Sequence, residues 1–204
     1  MALKLLRQST LVSPSWLHRY LGCGDRINIL DCSWHLPNTG RDAKAEYAEK
    51  HIPGALFFDI EECSDKSNVM PHMLPDVKTF EKYVGGLGIS NTVPILVYDN
   101  NPTFGVFSSP RVWWMFRYFG LDNIVILEGG LPTYIAEGYD VTSEATPERE
   151  EEFFAARANP QFVKSFEDIT ANVKSQEFQL IDARPSGRFQ GTAPEPRDGM
   201  YNLW

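Results

Sequence analysis

The chain has 204 residues, 43% of them hydrophobic and 23% charged, with 19 basic and 27 acidic side chains and a net charge of −8. This is a globular composition, not that of a disordered or coiled-coil chain, and its length suits one large domain or one domain with a remainder. No apolar run reaches the roughly 18 residues of a membrane span, and the acidic balance disfavours nucleic acid, which asks for a basic patch.

Residues 1–20 carry Lys4, Arg7 and Arg19, and no acid precedes Asp25. This stretch reads equally as a mitochondrial presequence or as a basic tail leading into the first helix. Leu11-Val12 is read as opening that helix, with Ser13 as N-cap and the helix over 14–21. A buried strand is expected over 27–32, ending at Asp31-Cys32. A charged helix follows over 42–50, with Ala43, Tyr47 and Ala48 in register, then a strand over 55–60. Val77, Phe80 and Val84 share one face of a helix over 76–87. The third strand is expected over 94–99 and ends at Asp99. Ser109-Pro110 is read as a capping residue with proline at the first helical position, opening a helix over 111–119 that stops at Gly120. Trp113, Trp114, Phe116 and Phe119 on it read as a core face. A strand over 124–128 and a last helix over 130–137 complete the alternation.

Over 142–152 Thr, Ser, Pro and a Glu-Arg-Glu-Glu-Glu run replace the apolar pattern, which reads as a solvated linker. The beginning then recurs. Leu11-Val12 precedes Ile29-Leu30-Asp31, and Phe162-Val163 precedes Leu180-Ile181-Asp182, both pairs 151 residues apart. A strand is expected over 178–183, in a second unit of one helix, one strand and a loop. About 40 residues are too few to bury a core unaided, so this unit is expected to be loosely held. Strands alternating with helices imply an α/β fold, a central parallel sheet with helices on both faces. Ligands of such sheets bind at the carboxyl ends of strands, which directs attention to the loop after Asp99.

Three cysteines, Cys23, Cys32 and Cys63, with no CxxC, form neither a disulfide framework nor a zinc site and suit a reducing compartment. Cys63 reads as a packed thiol or, alternatively, as a nucleophile; Cys32 reads as packing and Cys23 as an exposed turn residue. A Cys-dependent phosphatase would need Arg six positions after Cys, where Ile29, Asn38 and Val69 stand. Gly105-Val106-Phe107-Ser108-Ser109 lacks the second glycine of a serine-hydrolase elbow. Gly129-Gly130, with no GxGxxG and no Gly-Lys-Ser or Gly-Lys-Thr, reads as a turn.

The segments GRDAKAEYAEKHIPGALFFDI, CSDKSNVMPHMLP, SSPRVWWMFRYFG and LEGGL, in this order, resemble the tandem rhodanese-like sulfurtransferases, and DARPSGRFQGTAPEPRDG resembles the opening of their second domain. The resemblance implies a rhodanese-like unit over 11–141, non-catalytic in the family, a linker over 142–161 and the start of a second unit over 162–204. It implies transfer of sulfane sulfur from 3-mercaptopyruvate or thiosulfate to a thiol or cyanide through a cysteine persulfide, with no cofactor and no metal. The family's cysteine loop would follow Asp198-Gly199, where this chain reads Met200-Tyr201-Asn202-Leu203-Trp204, and Asp99 holds the corresponding place in the first unit. An inactive chain is therefore expected, the alternative being a non-catalytic binding or regulatory module. By resemblance, Asp65 and His72 support the reaction, and Arg188 and Arg197 bind the donor carboxylate. The implied partners are a small anionic sulfur donor and a thiol acceptor, with a protein partner through the incomplete second repeat, in mitochondria or cytoplasm. Neither nucleic acid nor a membrane is expected.

Overall fold

The computed structural model describes residues 9–194. They divide into two compact units after Phe162. The first unit is built on a sheet of five parallel strands in the order β1-β5-β4-β2-β3. These are β1 (Leu11–Val12), β2 (Asn28–Asp31), β3 (Leu56–Phe57), β4 (Ile95–Tyr98) and β5 (Ile124–Leu127). The helices between them are α1 (Pro14–Gly22), α2 (Ala43–Glu49), α3 (Val77–Gly86), α4 (Ser109–Tyr118) and α5 (Gly130–Ala136).

The three central strands are buried along their whole length. Successive side chains on a strand point to opposite faces, so a sheet covered on both sides needs apolar residues at every position. Leu30, Val97 and Ile126 join one core with Phe58, Phe80 and Phe116. Their neighbours Ile29, Leu96 and Val125 join the other with Leu17 and Leu131. Local chemistry sets the helix starts. Ser13 Oγ accepts from Trp16 N at 3.2 Å, Asp42 caps α2, and Asp76 caps α3 through Thr79 N at 2.9 Å.

Several sequence expectations are corrected. Leu11-Val12 does not open a helix. It is an edge strand, bracketed by bonds from Ile126 N to Thr10 O and Glu128 N to Val12 O, both 2.8 Å. Leu11 to Tyr20 therefore belong to the fold, with Leu17 and Tyr20 buried, while residues 1–8 of the acid-poor stretch lie outside the described residues. The helix expected from Arg111 begins at Ser109, with Ser108 as N-cap; the Ser109 hydroxyl is engaged elsewhere.

The expected solvated linker is in large part a strap across the first unit. His51 and Thr142 exchange both backbone bonds at 2.9 Å. Further along, Glu152 N reaches Gly85 O, Arg157 N reaches Phe119 O, and Asn159 N reaches Tyr118 O, at 3.0, 2.9 and 2.8 Å. Between them Phe154 is 1% exposed, edge-on to Phe80 and Phe116. A segment that buries an aromatic ring and pairs its backbone groups is part of the core, whatever its charge.

The first helix of the second unit, like that of the first, is serine-capped. In α6 (Phe166–Ser175) Ser165 and Asp168 form a reciprocal capping box. Asn172 is buried and closes the helix end by bonding both Phe178 N and Phe178 O. The strand expected over 178–183 is not formed, and Leu180 and Ile181 stand 64% and 80% exposed. A strand exists by pairing, and no partner strand for it lies among the described residues. The short α7 (Ser186–Phe189) follows.

Candidate functional site

At the carboxyl end of β4 the chain turns at Asp99, which is 1% exposed. Its Oδ2 accepts from Phe107 N, Ser108 N and Ser109 N at 2.8, 3.0 and 2.8 Å, and from Ser109 Oγ at 2.7 Å. The loop to α4 is thus a nest of backbone N–H groups at a helix N-terminus, the arrangement that holds anions, and Asp99 is the anion it holds. Asp99 Oδ1 finds no hydrogen-bond partner. The loop is pressed from outside by the start of α5. Leu131 N donates to Asp99 O at 2.9 Å, and a Cβ on Gly130 would come within 2.3 Å of that carbonyl and 2.8 Å of Gly105 O. With φ +59 as well, Gly130 has to be glycine.

A second buried carboxyl lies beside it. Asp31, at the end of β2, accepts from Ser33 N and Ser33 Oγ at 2.9 and 2.5 Å. Burial pushes its pKa up to about 6, with the Asp99 charge adding to the rise and the bonds from Ser33 and Tyr98 opposing it. Ser33 Oγ also accepts from Asn100 N, and Asn100 Nδ2 reaches Glu46 Oε2 at 3.0 Å. Arg41 grips Glu46 with two prongs at 2.7 and 2.6 Å and donates to Asn100 O at 3.0 Å. Burial alone would raise the Glu46 carboxyl, but the Arg41 fork and His35, 3.0 Å away, hold it below its usual range.

Asp65 and His72 line one cleft of about 270 Å³, together with Glu61 and Ser64. They do not act as a pair. Asp65 turns its carboxylate into its own loop, onto Ser67 N and Oγ at 2.9 and 2.6 Å, and these bonds hold its pKa down. His72 instead faces Glu61, with Nε2 3.6 Å from Oε1. The same oxygen accepts from Trp34 Nε1 at 2.9 Å, the chief reason the Glu61 carboxyl is low. His72 has φ +58, its ring stands edge-on to Trp34 at 4.8 Å, and its carbonyl accepts from Arg111 Nη2. Trp34 joins cleft to nest, since its N–H bonds Ser108 Oγ at 3.1 Å and its ring stacks on Phe107. Glu61 is the site residue that sequence reasoning missed. Its signal was position, in the turn four residues past the carboxyl end of β3, the strand that leads from HIPGA.

Arg188 lies on α7 in the second unit, where Asp182 is held low mainly by Arg184 and also by Arg188. Arg197 lies outside the described residues. None of the cysteines lies in the nest. Cys32 and Cys63 are 0% exposed, and burial drives the Cys63 thiol up to about 12, with Asp59 adding to it. The Cys32 thiol is raised by burial and by Asp31 and Asp99. Cys23 is exposed at the end of α1. Among the described residues no group of three or more His, Cys, Asp or Glu is placed to hold a metal ion, and no helix is long and apolar enough to cross a membrane.

Residues 13–137 match the rhodanese-like domain family. The 3-mercaptopyruvate sulfurtransferase of Rattus norvegicus is 44% identical over 193 residues, 93% of this chain and 64% of the rat protein. The thiosulfate sulfurtransferase of Bos taurus is 46% identical over 190 residues, 91% of this chain and 63% of its own. The chain therefore spans a little under two thirds of the length of these curated relatives. In three dimensions SseA of Escherichia coli, from a study of 3-mercaptopyruvate sulfotransferases, matches with a TM-score of 0.81 at 36% identity, covering 94% of this chain and 71% of that one. A parallel sheet whose β4 runs into an anion-holding loop, matched over 13–137 by the family and over most of the chain by sulfurtransferases, places this chain in the rhodanese-like domain family.

Proposed function

We propose that this chain supplies the non-catalytic rhodanese-like unit of a sulfurtransferase of the 3-mercaptopyruvate or thiosulfate type, and turns over neither donor by itself. The observation that carries this reading is Asp99 in the nest. Sulfur transfer needs a thiolate there to attack the donor sulfur, forming an S–S bond as the donor's bond to that sulfur breaks. The persulfide then yields its outer sulfur to a thiol. A carboxylate cannot carry a persulfide, and it repels an anionic donor. The two thiols of the sheet region are buried and hard to ionise, and the nucleophile is a thiolate.

In an assembly that includes a complete second rhodanese-like unit, His72 with Glu61 behind it supplies a proton-transfer group, and Arg188 and Arg197 engage the donor carboxylate by bidentate bonds. Asp65 orders the loop and stays outside the chemistry. The acceptor is a small thiol, and the setting is mitochondrial or cytoplasmic.

The test is incubation of the purified chain with each donor, followed by intact mass measurement and a turnover assay. No added sulfur and no turnover above a thiol blank are expected. A persulfide on Cys63 that disappears in Cys63→Ser would overturn the reading. Fusion to a complete second unit from a relative restores turnover, and His72→Ala in that fusion lowers kcat by about 100-fold. Retention of full kcat would remove His72 from the chemistry.

A further inference from the structure

The opposite end of the sheet, where the strands begin, holds a cleft of about 390 Å³. The strap builds one of its walls. Gly85 and Gly88 at the end of α3 leave room for it: a Cβ on Gly85 would meet Glu152 O at 2.4 Å, and one on Gly88 would meet the Arg149 Cβ at 2.4 Å. Pressed into this groove, the strap places Arg149 over the start of β2. There Nη1 donates to the Oδ1 of Asn28, a buried residue, at 2.7 Å, and Nη2 reaches Gly54 O at 3.4 Å.

Arg26 borders the same cleft from the turn after α1. The two guanidinium groups are close enough that Arg26, after burial, helps to push the Arg149 pKa down. Asp25, Glu150 and Glu152 also border the cleft, yet among the described residues neither arginine forms an ion pair. Neither guanidinium comes within ion-pair distance of the carboxylates beside it, so both keep N–H groups that no carboxylate takes. Leu21, Ile27 and Val93 supply an apolar wall.

We propose that this cleft binds a small organic anion, its single oxyanion head held between Arg26 and Arg149 and its short aliphatic body laid against Leu21, Ile27 and Val93. A guanidinium already fixed by Asn28 offers its remaining N–H groups at little entropic cost, and Arg forks suit oxyanions. The bordering carboxylates repel a polyanion, which restricts the ligand to one head group.

The experiment titrates hexyl sulfate, below its micelle concentration and at fixed ionic strength, into the ¹⁵N-labelled chain and follows amide shifts, with sodium sulfate and sodium chloride as parallel arms. Saturable shifts at Arg26, Asn28 and Gly88 are expected for hexyl sulfate, with about tenfold weaker binding of sulfate. Arg26→Gln and Arg149→Gln each weaken hexyl sulfate by about tenfold. Arg26 is exposed, so its variant keeps the proposal testable even if Arg149→Gln loosens the strap. Shifts that do not saturate, that chloride reproduces, or that persist unchanged in Arg26→Gln would overturn the proposal, as would equal affinity for sulfate.

Discussion

Asp31 is a carboxyl removed from water between two strands, and its titration is written into stability. Its folded pKa of about 6 lies above the ordinary aspartate value of 3.8. Between those values the folded chain keeps a proton that the unfolded chain has lost, so stability falls as pH rises through about 4 to 6. Above that window the ionised form costs about 3 kcal/mol. Asp31→Asn should therefore flatten the slope of stability against pH in this window and raise the urea midpoint at pH 7 relative to its effect at pH 4. An unchanged slope would place the proton elsewhere. Thiol chemistry offers a second check: iodoacetamide on the native chain should label Cys23 alone, and labelling of Cys63 at a comparable rate would contradict its burial. At this scale the sequence showed which residue types matter but not which of them meet. The motif singled out His72, but not the carboxylate that its ring faces. Asp65 and Glu61 are acids seven and eleven positions upstream of His72, and only the loop's path decides that Glu61 faces the ring and Asp65 faces Ser67.

Elements were legible where one-dimensional chemistry sufficed. The central strands, the cap at Ser13 and the helices that start at Asp42 and Asp76 follow from apolar runs, a capping residue and helical spacing. What escaped depends on pairing across the chain. Leu11-Val12 is a strand because β5 stands ready to receive it, and residues 178–183, with the better strand pattern, are not one because no strand among the described residues receives them. The strap escaped because one buried ring sits amid charges. Phe154→Ala should cost about 3 kcal/mol in urea unfolding, the usual toll of an aromatic truncated in a packed core. A loss below about 1 kcal/mol, the range of surface substitutions, would mean the strap is only laid on the surface. In the nest, Ser109→Ala removes one of the bonds to Asp99 Oδ2 and should destabilise by about 1 to 3 kcal/mol.

For the whole chain, limited proteolysis should spare the strap and cut beyond Phe162, giving a fragment that contains the entire five-stranded sheet. Early cuts between Thr142 and Asn159 would show the strap undocked. Amide exchange should be slow in Ile95–Tyr98 and fast over 178–183. The nest has a thermodynamic corollary. A receptor that gains stability from its ligand melts higher as ligand is added, by mass action. Here the guest is covalently part of the host, its effective concentration fixed by the loop that joins Asp99 to Phe107, Ser108 and Ser109. The nest of this unit is permanently saturated, and its melting temperature should ignore added thiosulfate, while Asp99→Ala surrenders that insulation and makes the fold answer to acetate or formate in the buffer.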